Sequence, residues 1–129
     1  MKLYICTVLV ILGIIMAGLP IQAHHSIPAF WDEQKSIEIK GTVKQMKIVN
    51  PHSELIIEVM GPDGRKSDWI GVAGIASQMI KAGWTNETLK FGTAVTVEGA
   101  PPRKEGAKGI LVRKITLPDG RVLTSGKID

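Results

Sequence analysis

Residues 36–50 read SIEIKGTVKQMKIVN. Ile37, Ile39, Gly41 and Val43 alternate with polar residues, and Met46 and Ile48 continue the apolar series after it slips by one position. A period of two marks a strand with one buried face, and a single slip marks an extra residue. The stretch therefore predicts one long strand with a bulge near Lys44-Gln45. A strand that bends can serve two sheets, which is what closing a small barrel requires.

Downstream, Asn50-Pro51-His52-Ser53 is turn chemistry, because Pro51 fixes φ and Asn50 can bond its own backbone. Leu55–Met60 predicts a second strand, Gly61-Pro62-Asp63-Gly64 a turn, and Lys66–Ile70 a third strand around Trp69. The period then changes. Ile75, Ala76, Met79 and Ile80 fall at helical spacing, and Gly83 suits the left-handed position that ends a helix. Thr93, Val95 and Val97 alternate in a fourth strand. Residues 100–109 form a loop, Ile110–Leu117 a fifth strand with another slip, and Arg121–Leu123 a short last strand after Pro118-Asp119-Gly120. Three strands, a short helix and two strands are the order of an OB-like five-stranded Greek-key barrel, mainly β, with its one short helix between strands three and four. An open α+β roll would use the same elements.

Upstream, HHSIPAFWDEQK (residues 24–35) has no clear period and reads as an ordered arm or a tail. Before it, Met1-Lys2 is a short positive start, Leu3–Leu19 carries no charge, and Pro20 and Ile21-Gln22-Ala23 follow. That is the order of a secretory signal, with the cut expected after Ala23. The other reading is a retained membrane anchor, for which the uncharged run is short against the roughly 20 residues a spanning helix needs. The expected organisation is a signal peptide at 1–23, an arm at 24–36 and a barrel domain at 37–129, with a periplasmic or secreted location. Membrane contact is expected only through an uncleaved signal segment.

Cys6 is the sole cysteine and lies in the apolar run, so the mature chain would have no thiol chemistry and no disulfide. Removing residues 1–23 takes only Lys2 from 16 Lys/Arg and none of 12 Asp/Glu, leaving a net charge of +3. This weak, dispersed bias does not point to nucleic acid. Aromatic stacking platforms are also scarce, since Phe30, Trp31, Trp69, Trp84 and Phe91 read mostly as core or helix-packing residues. No glycine-rich phosphate loop is present, Asp32-Glu33 and His25-Ser26 are mere sequence neighbours, and an enzyme has no support beyond a candidate metal, which redox chemistry would need with an open coordination position.

The three histidines carry the one chemical signal. Cleavage after Ala23 would make His24 the first residue, with its α-amine and ring Nδ1 able to chelate one ion. The amine's ordinary pKa near 7.7–8.0 lets a metal compete for it at neutral pH. A second imidazole would complete a three-nitrogen site, and such donors favour Cu(II). His52, on a turn stiffened by Pro51, is the natural partner, with His25 the other candidate. The arm would have to run back along the first strand to meet His52, and twelve extended residues span about 40 Å. Alternatively, the histidines belong to a tail and a polar turn. A metal-independent module would then bind an envelope ligand or protein through the barrel-end loops, using Asn50, Arg103, Lys104 and Lys108.

The sequence also resembles the small exported bacterial proteins grouped as domain of unknown function 6152. The resemblance rests on His24-His25-Ser26, Ala29-Phe30-Trp31-Asp32, Lys35 and Gly41-Thr42-Val43. It continues through Asn50-Pro51-His52, Trp69, Gly83-Trp84-Thr85, Leu89-Lys90-x-Gly92 and Leu117-x-Asp119-Gly120-Arg121. It implies export and a compact β fold, and it implies histidines at positions 24, 25 and 52, without supplying an activity. In one departure, similar proteins tend to carry a glutamate where this chain has Val72. Any role for an acid at that position is thereby put in doubt here.

Overall fold

The computed structural model describes residues 27–126. Strand β1 (Ile37–Lys47) is the long bent strand. Its first half pairs antiparallel with β4 (Ala94–Ala100), from Ile37 opposite Gly99 to Thr42 opposite Ala94. Its second half pairs with β2 (Glu54–Met60), ending with Lys47 opposite Glu54. Val43 faces Ile57 and Gln45 faces Ile56, so Lys44 is the extra residue the alternation predicts. The bulge turns Lys44 outward onto Asp68, 2.9 Å away, and that hydrogen-bonded carboxylate raises the lysine pKa above its ordinary value.

Strand β3 (Lys66–Val72) lies antiparallel to β2, and β5 (Gly109–Thr116) antiparallel to β4. The order is β3-β2-β1-β4-β5-β6, with the short β6 (Val122–Thr124) added outside β5. Parallel pairing of Ile70–Val72 with Gly109–Leu111 closes the first five strands into a mixed barrel, the OB-like architecture expected from the element order. The slip in β5 is also real. Glu98 faces Lys114 while Gly99 faces Val112, which leaves Arg113 as the extra residue. Strand β3 runs two residues past the expected Ile70, because Gly71 and Val72 are paired on both edges, to β2 and to β5.

Between β3 and β4 lies α2 (Ala76–Lys81). It ends as Gly83 predicts: φ is +86° there, the Gly83 N–H donates to the Ile80 carbonyl and the Trp84 N–H to the Met79 carbonyl. These two bonds satisfy carbonyls that the helix end would leave bare. Below it, Val43, Leu55, Ile57, Met79, Trp84, Val97, Ile110 and Ile115 are almost wholly buried and fill the barrel. The arm is ordered. One helical turn, α1 (Ile27–Phe30), precedes a bridge from Trp31 to Pro102.

Candidate functional site

The arm's seat starts with two apolar side chains. Ile27 packs with Ala100 and Leu111 in a small cluster joined by Trp31 and Val72, separate from the barrel interior. Leu111 points outward because its neighbours Ile110 and Val112 point in. The arm therefore lies on the outer wall where β3, β5 and β4 meet. Val72 contributes a methyl-bearing surface to this seat rather than a charge.

Hydrogen bonds then lock the arm. The Asp32 N–H donates to the Pro101 carbonyl at 2.9 Å, and the Arg103 N–H to the Phe30 carbonyl at 2.8 Å. The Arg103 guanidinium donates through Nε to the Pro28 carbonyl at 2.7 Å and lies 3.9 Å from the Asp32 carboxylate. Lys35 bonds that same carboxylate at 3.1 Å, and this bond, assisted by the charge of Lys35 and of Arg103, holds the Asp32 pKa below the usual range. Arg113 donates to the Glu33 carbonyl. Arg103 is thus a clamp on the arm, and Asn50 is engaged too: its Oδ1 accepts the Ala76 N–H at 3.0 Å and caps α2 from a distant loop. Lys104 and Lys108 make no ion pair with a described residue.

Arg103→Ala should raise the exchange rate of the Asp32 and Trp31 amides about tenfold, the loss expected for one charge-assisted bond to a carbonyl. The Val97 amide in the barrel should stay unchanged. Lysine at 103 should rescue little, since an ammonium cannot reproduce the guanidinium fork. Hydrogen exchange read by NMR checks both.

The barrel closure decides where His52 lies relative to the arm. Val72 in the seat is paired with Glu54 on the neighbouring strand, about 4.8 Å away across the ladder. His52 is two residues before Glu54, held by Ser53, whose N–H donates to the Gly74 carbonyl and whose own carbonyl accepts the Ala73 N–H. The arm does not run back along β1, as the strand's length had suggested. It crosses the outer wall sideways, and Ile27 comes to the barrel end that carries the 50–53 turn.

His52 is half-buried, and its Nδ1 is enclosed with no hydrogen-bond partner. A proton on Nδ1 would be a buried donor without an acceptor, and unpaired buried N–H groups are the rarer defect in folded proteins. On this ground Nε2 is the better place for the ring proton. Gln78 Oε1, on α2 beside this turn, is likewise enclosed and unpaired. Among the described residues no three His, Cys, Asp or Glu side chains converge as a metal site. His24, His25, the apolar run and the cut after Ala23 fall outside the described residues.

Of the five aromatics among the described residues, Trp84 is buried and Trp31 and Trp69 half-buried, while Phe30 and Phe91 are exposed at 58% and 79%.

A family model described as a family of unknown function, DUF6152, matches residues 12–112. No curated protein matches the chain.

Proposed function

The chain belongs to the DUF6152 family, and from that premise we propose that it is a small exported protein that binds a transition metal, copper in the first place. The ligands are the His24 amine and ring, freed by signal cleavage, together with His52, with His25 in reserve. The observation that carries the reading is the packing of Ile27 in a cluster that Val72 also joins, Val72 being paired with Glu54 on the strand that follows His52. Three peptide units link His24 to Ile27, so its Cα lies within about 11 Å of the anchored Ile27 Cα. The clamp limits the entropy lost when the site assembles, because residues 27–32 are already ordered.

The two ligand sources differ in strength. The terminal amine and ring chelate from one residue, whereas coordination through His52 Nε2 must move the ring proton to the unpartnered Nδ1. Cu(II) titration by calorimetry should therefore rank the variants. An extra methionine before His24 should cost at least about a hundredfold in affinity, exceeding the 10–100-fold typical of losing an outer partner. His52→Ala should cost less, on the order of tenfold. Equal binding by the native and methionine-extended forms would remove the terminal chelate, and mass spectrometry of the exported protein checks that His24 comes first.

The second reading is a metal-independent module that takes an envelope ligand or protein through the barrel-end loops. The engagement of Asn50 and Arg103 narrows it to Lys104 and Lys108, which are exposed and without an internal counter-ion among the described residues.

A further inference from the structure

Strand β3 joins β5 from Ile70 to Val72, so among the described residues its edge from Lys66 to Trp69 has no strand neighbour on that side. The opening in the barrel wall is a cleft of about 620 Å³. Met60 and Pro62 line it from β2 and the following turn, Trp69 and Lys66 from β3, Arg65 from the turn, and Lys108 from the loop before β5. That volume lies inside the range of small-molecule sites, which run from about 300 to 1,000 Å³.

The chemistry of the lining is uneven in a useful way. Met60 is 62% exposed at the end of its strand, and Trp69 is half-buried, so a flexible thioether and an indole offer apolar surface to the cleft. Three cations border it. Arg65 is bound to Asp63 at 3.0 Å and Lys66 to Glu58 at 2.8 Å. Lys108 has no carboxylate partner among the described residues, and its carbonyl is fixed by the Ile70 N–H at 3.2 Å, which anchors the stem of the side chain at the cleft. One uncommitted ammonium beside an apolar wall recognises one negative charge on a flat apolar body.

We propose that this cleft is a binding site for small aromatic monoanions, carboxylates above all, with the ring against Trp69 and Met60 and the carboxylate on Lys108. The site is independent of the histidines and of Asn50. Its affinity depends on charge, so it weakens with salt.

2-Naphthoate serves as the probe, titrated into the protein in the presence of a chelator and followed by NMR of backbone amides and of the Trp69 indole. The expected result is a set of saturable shifts confined to residues 59–69 and 108. Lys108→Gln should weaken binding about tenfold, and the neutral analogue 2-naphthalenemethanol should bind comparably weakly to both proteins. Lys108 is exposed, so the variant keeps its fold, and an unchanged amide spectrum elsewhere verifies that. Trp69→Phe, which keeps a ring in the wall, should weaken binding by a few-fold. Shifts elsewhere on the barrel, equal binding of naphthoate and its alcohol, or undiminished binding by Lys108→Gln would each overturn the proposal. So would shifts produced only by extended peptides adding to the free β3 edge. Because metal is absent throughout, failure here leaves the copper reading untouched, and failure of copper binding leaves this one untouched.

Discussion

Gly99→Ala should lower the unfolding free energy by roughly 3 kcal/mol, a fall in melting temperature on the order of 15 °C for a domain of this size. Gly99 lies at the register shift between β4 and β5. A Cβ built there overlaps the Leu111 carbonyl oxygen and stands 2.8 Å from its carbon and 3.0 Å from Cγ1 of Ile110. Two of these atoms are backbone, and the third belongs to a side chain with no exposed surface. None can yield without moving β5, and β5 carries both the closure to β3 and the Leu111 surface under the arm.

Gly106→Ala supplies the comparison. Its φ is +74° with nothing within 4 Å, so alanine there meets only the left-handed backbone penalty of about 1 kcal/mol. Thermal melts followed by circular dichroism should separate the two by a wide margin. Similar melting temperatures would show that β4 and β5 are not packed this tightly.

What could be read from sequence was what local physics writes into consecutive residues. The slip between Val43 and Met46 gave away the Lys44 bulge, because a period of two cannot absorb an extra residue silently. Gly83 marked the helix end because the backbone there must be left-handed. The arm was illegible for the opposite reason. From Ile27 onward it docks through two apolar side chains, Ile27 and Trp31, through backbone bonds, and through Arg103 and Arg113, which reach arm carbonyls and, for Arg103, the Asp32 carboxylate. No periodicity records such contacts.

The candidate site divides the same way. Histidines 24, 25 and 52 are visible as residue types, but the shortcut from the arm to the turn is a property of closure, created where three residues of β3 meet β5. Arg103 and Asn50 read as polar loop residues with spare bonding capacity, and both are used internally, one as the arm clamp and one as a remote helix cap. Composition alone cannot separate a cation waiting for a ligand from one already satisfied. The same limit hid the cleft: Lys108 stood among the loop cations, while Met60 and Trp69 looked like ordinary strand residues until the unpaired edge of β3 put them beside it.

Trp84→Ala should be the most destabilising side-chain truncation in the barrel, at about 3–5 kcal/mol. Trp84 is 1% exposed and is the largest of the fully buried side chains. It stands immediately after the end of α2, in the core cluster with Met79, Leu89 and Leu123. Its indole N–H donates to the Thr124 carbonyl at 3.0 Å, tying the end of the helix to β6 across 40 positions of chain. Alanine removes the packing and that bond together. Phenylalanine restores a ring but not the donor, so Trp84→Phe should cost about 1–2 kcal/mol, the penalty for leaving one part-buried carbonyl unpaired plus a small void. Urea denaturation gives both values, and the slope of free energy against urea should be unchanged if both variants unfold in one step. Stabilities of natural domains run from about 5 to 15 kcal/mol, so the alanine variant should sit near the limit of folding. Since Ala100, Leu111 and Val72 form the arm's seat only while the barrel is closed, its arm amides should then exchange at the rate of global unfolding. A cost below about 1 kcal/mol for alanine would mean that the indole is not the keystone its burial makes it.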